Sequence, residues 1–177
     1  MALQVSGSGR RVLTPGPLRA AGWDPFGWLP VADTDPRDAG FNYEFAWGDA
    51  HVNVIAHGPE EVERADGLLV CDRFYRHDTH TQTLLVLDRP SVIVVVPAAR
   101  ALKEVADLDS ARAFIVRPLE GFALFRGTWH WGPFPLGDEP VHLWNLQGKR
   151  YAEDNRCADL VANLGTVLHI PTPSEPA

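Results

Sequence analysis

The chain has 177 residues, of which 45% are hydrophobic and 22% are charged, as is typical of a single globular domain. Its formal net charge of −7, without any basic stripe, argues against a nucleic-acid partner, because phosphate binding requires Lys and Arg concentrated on one face. The N-terminus lacks the apolar segment of a signal peptide, and the longest apolar run is far shorter than the roughly 20 residues that span a membrane. We therefore expect a cytoplasmic protein without a membrane partner.

Composition and local pattern divide the chain into three parts. Residues 1–12 contain a Ser-Gly repeat typical of a flexible tail, and residues 169–177 form a Pro-rich tail. A single domain is predicted over residues 13–168. Within it, prolines at the start of residues 15–21 favour a short helix there, and further short helices are predicted within residues 98–112 and 154–164.

Short segments of alternating or apolar character predict many strands and little helix. They are residues 28–31, 41–47, 51–55, 113–116, 122–125 and 141–146. The 15 prolines and 15 glycines that punctuate the chain agree with this pattern, since turns between short strands require them. The sequence therefore predicts an all-β barrel or sandwich.

The central stretch, residues 74–97, combines a polar cluster with two apolar runs. Residues 84–87 and Val92–Val96 are separated by Asp88-Arg89-Pro90, which predicts a β-hairpin. The polar cluster at residues 76–82 precedes this hairpin, and a second polar motif follows at residues 127–130. The two motifs predict a pocket at the mouth of a small barrel.

Histidines within these motifs are the candidate functional groups. His77 and His130 could act as an acid–base pair or as ligands of a divalent metal with Gln82, although an amide is a poor ligand for a transition metal. The alternative is that both rings are half-buried and bonded to the backbone. His80 would join the site only if residues 78–79 form a bulge, because on a regular strand it points away from His77.

Three further residues have an open interpretation. Arg126 could hold a substrate carboxylate with two hydrogen bonds, or it could be an ordinary surface arginine. Trp129 and Trp131 could form the wall of the pocket, or they could belong to the core.

Five segments resemble, in order and approximate spacing, the ureidoglycolate lyase family. They are Asp24-Pro25-Phe26-Gly27, Arg76-His77 with Thr81-Gln82, Val92–Val96, Arg112-Ala113-Phe114-Ile115, and Gly127-Thr128-Trp129-His130. The resemblance covers roughly residues 18–160. It implies a cupin-type double-stranded β-helix with a few short helices, a homodimer, and cleavage of ureidoglycolate into glyoxylate and urea in allantoin catabolism.

The chain departs from the family pattern at two places in the pocket. Tyr75 occupies the position where the family commonly has glutamate, and Trp131 with Gly132 replaces a second histidine. The resemblance assigns Tyr75, His77 and Gln82 to the first cupin motif and His130 to the second. Since the glutamate is missing, the sequence offers no carboxylate at this locus.

Three functions follow from these observations. The first is a lyase acting on ureidoglycolate or a related acid, with His77 and His130 in proton transfer, possible help from a divalent metal, and Tyr75, Gln82, Arg126, Trp129 and Trp131 contacting the substrate. The second is a different cupin enzyme, an isomerase, cyclase or lyase with a more aromatic pocket. The third is a non-catalytic ligand-binding or scaffold protein.

Overall fold

Strands form most of the regular structure in the residues that the computed structural model describes, which are 4–5 and 10–172. The strands are β1 (Gln4–Val5), β2 (Arg11–Val12), β3 (Gly16–Pro17), β4 (Gly27–Trp28), β5 (Ala50–His57), β6 (Glu63–Ala65), β7 (Leu68–Cys71), β8 (Arg73–His77), β9 (Gln82–Val86), β10 (Ser91–Val96), β11 (Arg112–Val116), β12 (Gly121–Leu124), β13 (Trp129–Pro135), β14 (Val141–Gly148), β15 (Asn155–Asp159) and β16 (Leu168–Pro171). The helices are α1 (Ala20–Trp23), α2 (Leu160–Leu164) and short 3₁₀ helices at Asp38–Gly40, Pro59–Glu61, Val105–Ser110 and Tyr151–Glu153. Over these ranges, no helix has the length and apolar character needed to cross a membrane.

Two facing sheets build the barrel. In one, the neighbouring strands are β8-β13-β10-β11, and in the other they are β5-β14-β9-β12, with antiparallel pairing throughout. As the chain proceeds from β8 to β14 it passes repeatedly from one sheet to the other. This strand order is that of an eight-stranded jelly roll, so the predicted all-β class and cupin-type double-stranded β-helix are confirmed.

The third sheet, β1-β2-β16-β7-β6, covers one outer face of the barrel. β10 lies between the core shared with the third sheet and the interior of the barrel, and it is buried along its whole length. Val92, Val94 and Val96 pack into the core shared with the third sheet, whereas Ile93 and Val95 pack into the interior of the barrel. A continuous run of β-branched residues is what a strand buried on both faces requires.

The predicted hairpin of residues 84–96 is wrong, although both of its strands exist. β9 pairs with β12 and β14, whereas β10 pairs with β11 and β13, so the turn at residues 88–90 carries the chain from one sheet to the facing one. Both strands are largely buried, and an apolar run specifies burial without specifying the pairing partner.

Several predicted elements differ in type. Residues 41–47 do not form a regular strand and contribute one isolated bridge, between Phe45 and His80. Residues 15–21 contain β3 and only the start of α1. Residues 154–164 divide into β15 and α2, because the Asp159 side chain accepts a hydrogen bond from the Ala162 amide and starts the helix only there.

Both predicted tails contribute strands to the third sheet. Arg11 and Val12 pair with β16, and β16 itself extends to Pro171, with the side chain of Ile170 completely buried. The composition of these segments does not indicate strands, because β2 and β16 are short and form only by pairing with neighbours in the third sheet. Strand pairing therefore reaches beyond the predicted limits of residues 13–168, and the division into a single domain stays a prediction. Residues 1–3, 6–9 and 173–177, which fall within the predicted tails, lie outside the described residues.

Candidate active site

A cavity of about 540 Å³ opens at one end of the barrel, between the two facing sheets. Five of the seven residues predicted to form the site line it: Tyr75, His77, Gln82, His130 and Trp131. Volumes of this size are typical of small-molecule sites. The interior becomes polar toward this end, because the inward side chains of β14 change from Val141 and Leu143 to Asn145 and Gln147.

Strand alternation places the two histidines on the same face of neighbouring strands in one sheet. On β8, Tyr75 and His77 point to the cavity while Phe74 points into the core. On β13, His130 lies opposite Tyr75 in the antiparallel pairing. The rings of His77 and His130 have their centres 5.5 Å apart, so a single small molecule can contact both.

Two predicted substrate contacts do not line the cavity. Trp129 lies on the opposite face of β13 from His130, where its Nε1 donates to the Arg100 carbonyl at 2.8 Å. Arg126 lies outside the cavity and donates to the Asp78 carbonyl and to the Glu44 carboxylate. The cavity lining therefore does not support these two assignments, since Trp129 packs in the core shared with the third sheet and an ion pair at the surface occupies Arg126.

The arginine that does line the cavity is Arg73, which the sequence did not single out. It begins β8 with the same parity as Tyr75 and His77, and its guanidinium is bonded to the Asp72 carboxylate. Hydrogen bonds to Asp72 and Tyr75 raise the pKa of Arg73 further above its usual value. The alternation of residues 73, 75 and 77 is the signal that could have identified it.

His80 belongs to the same cluster as His77. β8 ends at His77 and β9 begins at Gln82, so the chain between them is not a regular strand and His80 turns back toward the site. The two rings stack with their centres 4.5 Å apart. Gly148 packs so closely that a Cβ there would lie 2.7 Å from His80 Nδ1. The sequence predicted that His80 joins the site only if residues 78–79 interrupt the strand, and the strand is interrupted there.

A carboxylate also reaches this locus, contrary to the expectation from the sequence. Asp154, the residue before β15, is 5% exposed, and its Oδ2 lies 3.5 Å from His80 Nδ1. The same oxygen accepts hydrogen bonds from the amide and hydroxyl of Thr79. No local motif marks Asp154, because the pairing of β15 with β8 alone brings it to the histidines.

Burial keeps the imidazoles neutral. It lowers the pKa of His77 to about 3, with the neighbouring His130 and His80 acting in the same direction and Asp154 opposing them. Burial likewise lowers the pKa of His130 to about 4 and lowers that of His80, against the Asp154 carboxylate. Burial acts to raise the pKa of Asp154, but its hydrogen bonds from Thr79 outweigh this and lower it. At neutral pH the site therefore holds three neutral rings and one carboxylate.

Hydrogen bonds leave several acceptors free. His130 Nδ1 lies 3.2 Å from the Thr128 carbonyl and donates to it in the neutral ring, which leaves Nε2 with a lone pair. Gln82 Nε2 donates to Asn145 Oδ1 at 2.9 Å, while Gln82 Oε1 is buried without a hydrogen-bond partner. His77 Nδ1 and His80 Nε2 are likewise buried without one. The cluster can accept protons, hold a cation or bind a hydrogen-bond donor.

The fold is that of a cupin-type protein with a polar cavity at one end of its barrel. The sequence matches the family model described as ureidoglycolate lyase over residues 36–166. The chain therefore belongs to the ureidoglycolate lyase family, as the resemblance predicted, and this membership indicates a lyase.

Comparison with solved structures gives distant similarities. A dTDP sugar isomerase from Desulfovibrio desulfuricans G20 superposes with a TM-score of 0.48 at 13% identity, over 78% of this chain and 88% of that chain. Oxalate decarboxylase from Bacillus subtilis superposes with a TM-score of 0.41 at 14% identity, over 76% of this chain and 28% of that chain. Neither similarity bears on the reaction. A comparison with curated proteins found no significant match.

Proposed function

We propose that the protein is a carbon–nitrogen lyase that splits ureidoglycolate, or a closely related ureido acid, into glyoxylate and urea. The observation that supports this proposal best is the pair of buried, neutral imidazoles of His77 and His130 facing one cavity in a member of this family. The reaction moves one proton from the carbinol oxygen to the ureido nitrogen. Two neutral rings whose centres are 5.5 Å apart are suited to that transfer.

In the proposed mechanism one ring accepts the hydroxyl proton as the carbonyl of glyoxylate forms and the carbon–nitrogen bond breaks. His130 is assigned this role, because the Thr128 carbonyl orients it with Nε2 as the acceptor. The His130 imidazolium formed in this way passes its proton to His77, which as an imidazolium protonates the departing nitrogen, so that both rings return to the neutral state. Because burial disfavours an imidazolium here, the proton is released readily to the leaving group.

Substrate positioning is assigned to two residues of the cavity. Gln82 Oε1, a buried acceptor without a partner, is placed to receive an N–H of the ureido group. Arg73 replaces Arg126 as the cation for the substrate carboxylate, because it lines the cavity and Arg126 does not. The predicted metal ligands His77, Gln82 and His130 also line the cavity, and a metal bound there would polarise the carbinol oxygen.

The test is release of glyoxylate and urea from ureidoglycolate by purified protein, in chelator and with added divalent metal. We expect His130→Ala and His77→Ala to lower kcat by about 10²–10⁴-fold, the usual contribution of a positioned acid or base. His142→Ala, which removes an exposed histidine, is the matched control and should behave as the wild type. A folded wild-type protein without turnover would refute the proposal.

A second candidate function is favoured by the size and lining of the cavity. Its volume of about 540 Å³ is large for a small ureido acid, and the rings of Tyr75, Trp131, Phe134 and Tyr151 line it. These features suit an isomerase, cyclase or lyase acting on a larger aromatic acid. A panel of ureido, 2-oxo and aromatic acids tested by thermal shift separates the two, since a ligand at 100 times its Kd stabilises the protein by about 2.7 kcal/mol. Binding without turnover of any acid would instead favour a ligand-binding or scaffold protein.

The localisation and the oligomeric state of the protein belong to the same proposal. We infer a cytoplasmic homodimer that acts on small molecules of purine and allantoin breakdown, without a nucleic-acid or membrane partner. Sedimentation of the purified chain tests the dimer, and a monomer at micromolar concentration would contradict it.

A further inference from the structure

The cluster of His77, His80 and Asp154 combines two imidazoles with a carboxylate. The proposed proton-transfer mechanism uses only His77 of these three. One nitrogen from each histidine and one carboxylate oxygen lie within 4.8 Å of one another. The three side chains are 8%, 3% and 5% exposed, respectively. Only His77 of the three lines the large cavity.

Three different segments converge to form this cluster, and each is held by the fold. His77 ends β8, and its partner in the pairing of β8 with β15 is Asn155, the residue after Asp154. His80 lies in the short link between β8 and β9, against the backbone of Gly148. Thr79 ties the link to Asp154 through its amide and its hydroxyl. The fold therefore holds the three side chains close together in the absence of a ligand.

The hydrogen bonding of the cluster is incomplete without a ligand. His77 Nδ1 and His80 Nε2 are buried without a hydrogen-bond partner, a state that native proteins generally avoid. Asp154 lies 3.5 Å from His80 Nδ1, which is beyond the usual length of an N–H···O hydrogen bond. Two buried ring nitrogens without partners, close to a buried carboxylate, suit a cation.

We propose that His77, His80 and Asp154 form a binding site for a divalent transition metal such as Zn²⁺, Mn²⁺ or Fe²⁺. Two imidazoles with one carboxylate are a common ligand set for these ions. Ligands on opposite sides of an ion with bonds of about 2.1 Å lie roughly 4.2 Å apart, and the donors here already lie within 4.8 Å of one another. The stacked rings of His77 and His80 have to rotate so that both ring planes contain the ion.

This site differs from the metal site expected from the sequence. The expected set of His77, Gln82 and His130 shares only His77 with it. His130 Nδ1 is bonded to the Thr128 carbonyl, and the Gln82 side chain is part of an amide network with Asn145. The site goes beyond the proposed lyase function, because it binds the ion whether or not ureidoglycolate is the substrate.

The experiment uses the full chain, treated with chelator and titrated with Zn²⁺, Mn²⁺ or Co²⁺ without substrate. Metal retained after desalting, thermal shift and the visible absorption of bound Co²⁺ are the readouts. We expect about one equivalent of Zn²⁺ or Co²⁺ in the wild type. His80→Asn and Asp154→Asn should each weaken binding at least tenfold, whereas His130→Asn and Gln82→Ala should retain it. His142→Asn, beside an exposed carboxylate, controls for surface binding.

Two outcomes would overturn the proposal. A wild type that retains no metal would show that the cluster is a hydrogen-bonded group of the core. Binding that is lost in His130→Asn and kept in His80→Asn would place the ion at the set expected from the sequence. If Asp154→Asn fails to fold, as judged by circular dichroism, His80→Asn decides the question. These measurements are made without substrate, so they do not depend on whether the protein cleaves ureidoglycolate.

Discussion

Three imidazole rings lie close together in the candidate site. Because they are buried in neutral form, the free energy of unfolding depends on pH. The pKa of His77 is about 3 and that of His130 is about 4, whereas the pKa of a histidine in an unfolded chain is about 6.5. The unfolded state therefore binds protons first as pH falls. These rings cost no stability above about pH 6.5, and stability is lost progressively as pH falls from about 6.5 toward the folded-state pKa values of about 3 and about 4.

We predict that the free energy of unfolding of metal-free protein decreases by about 2 kcal/mol for each of these histidines between pH 7.5 and pH 5. Urea denaturation at the two pH values measures it. His130→Gln should have a smaller pH dependence than the wild type, and His142→Gln should not. A wild type with equal stability at both pH values would show that these rings are not buried in neutral form.

A second residue-level feature is the amide network beneath the histidines. Asn145 is completely buried; its Oδ1 accepts from Gln82, and its Nδ2 donates to Asn53 at 2.8 Å. We predict that Asn145→Leu, which keeps the size but removes both bonds, lowers the free energy of unfolding by about 1–3 kcal/mol. Chemical denaturation is the measurement, and exposed Asn42→Leu is the control. A change as small as that of the control would mean that water replaces the network.

At the scale of elements, the contact between β4 and β12 depends on a glycine. A Cβ on Gly27 would lie 1.8 Å from the Ala123 carbonyl oxygen, so that no other residue fits without separating the two strands. Trp28, the next residue of β4, is 7% exposed and stacks on Phe41. This short pair closes one edge of the sheet that carries Gln82.

We predict that Gly27→Ala lowers the free energy of unfolding by about 2–3 kcal/mol, because overpacking forces the backbone apart. Gly16→Ala is the matched control, since a Cβ there meets nothing within 4 Å, and its effect should stay within about 0.5 kcal/mol. Urea denaturation compares the two variants. Equal effects would contradict the close packing of β4 on β12.

The elements also show which predictions a local pattern supports. The alternation of residues 141–146 predicted β14 correctly, because one face of that strand is buried and period-two alternation records that asymmetry. Residues 51–55 also lie in a strand, β5, although Val52 and Val54 are on its exposed face. Residues 41–47 alternate as well, but Tyr43 and Trp47 are 47% and 46% exposed and no sheet pairs with this segment beyond one bridge. Alternation alone cannot distinguish these cases, since pairing requires a partner from elsewhere in the chain.

At the scale of the whole molecule, the third sheet brings both ends of the described chain onto the barrel. β16 lies between β2 and β7, and its residue Ile170 packs in the same core as Val92 and Trp129. The segment predicted to be a C-terminal tail thus closes the hydrophobic layer behind the site-bearing strands β8 and β13.

We predict that Ile170→Ala lowers the free energy of unfolding by about 2–5 kcal/mol, the usual cost of removing a buried isoleucine side chain. Val161→Ala, at a position that is 56% exposed on α2, should change stability by less than about 0.5 kcal/mol. Thermal or urea denaturation measures both. If the two variants are equally stable, residues 169–171 do not contribute to the core and the predicted tail is correct.

The sequence by itself determined the all-β class, the family and five residues of the cavity. These depend on local information: apolar runs and turns give strands, and Tyr75, His77, Gln82, His130 and Trp131 lie in or beside motifs that can be recognised within a few residues. The tertiary structure alone decided the pairing of β9 and β10, the role of Arg126 and the arrival of Asp154 beside His80. The reason is that strand partners and ion pairs join residues far apart in sequence, and their energies are realised only when the whole barrel closes.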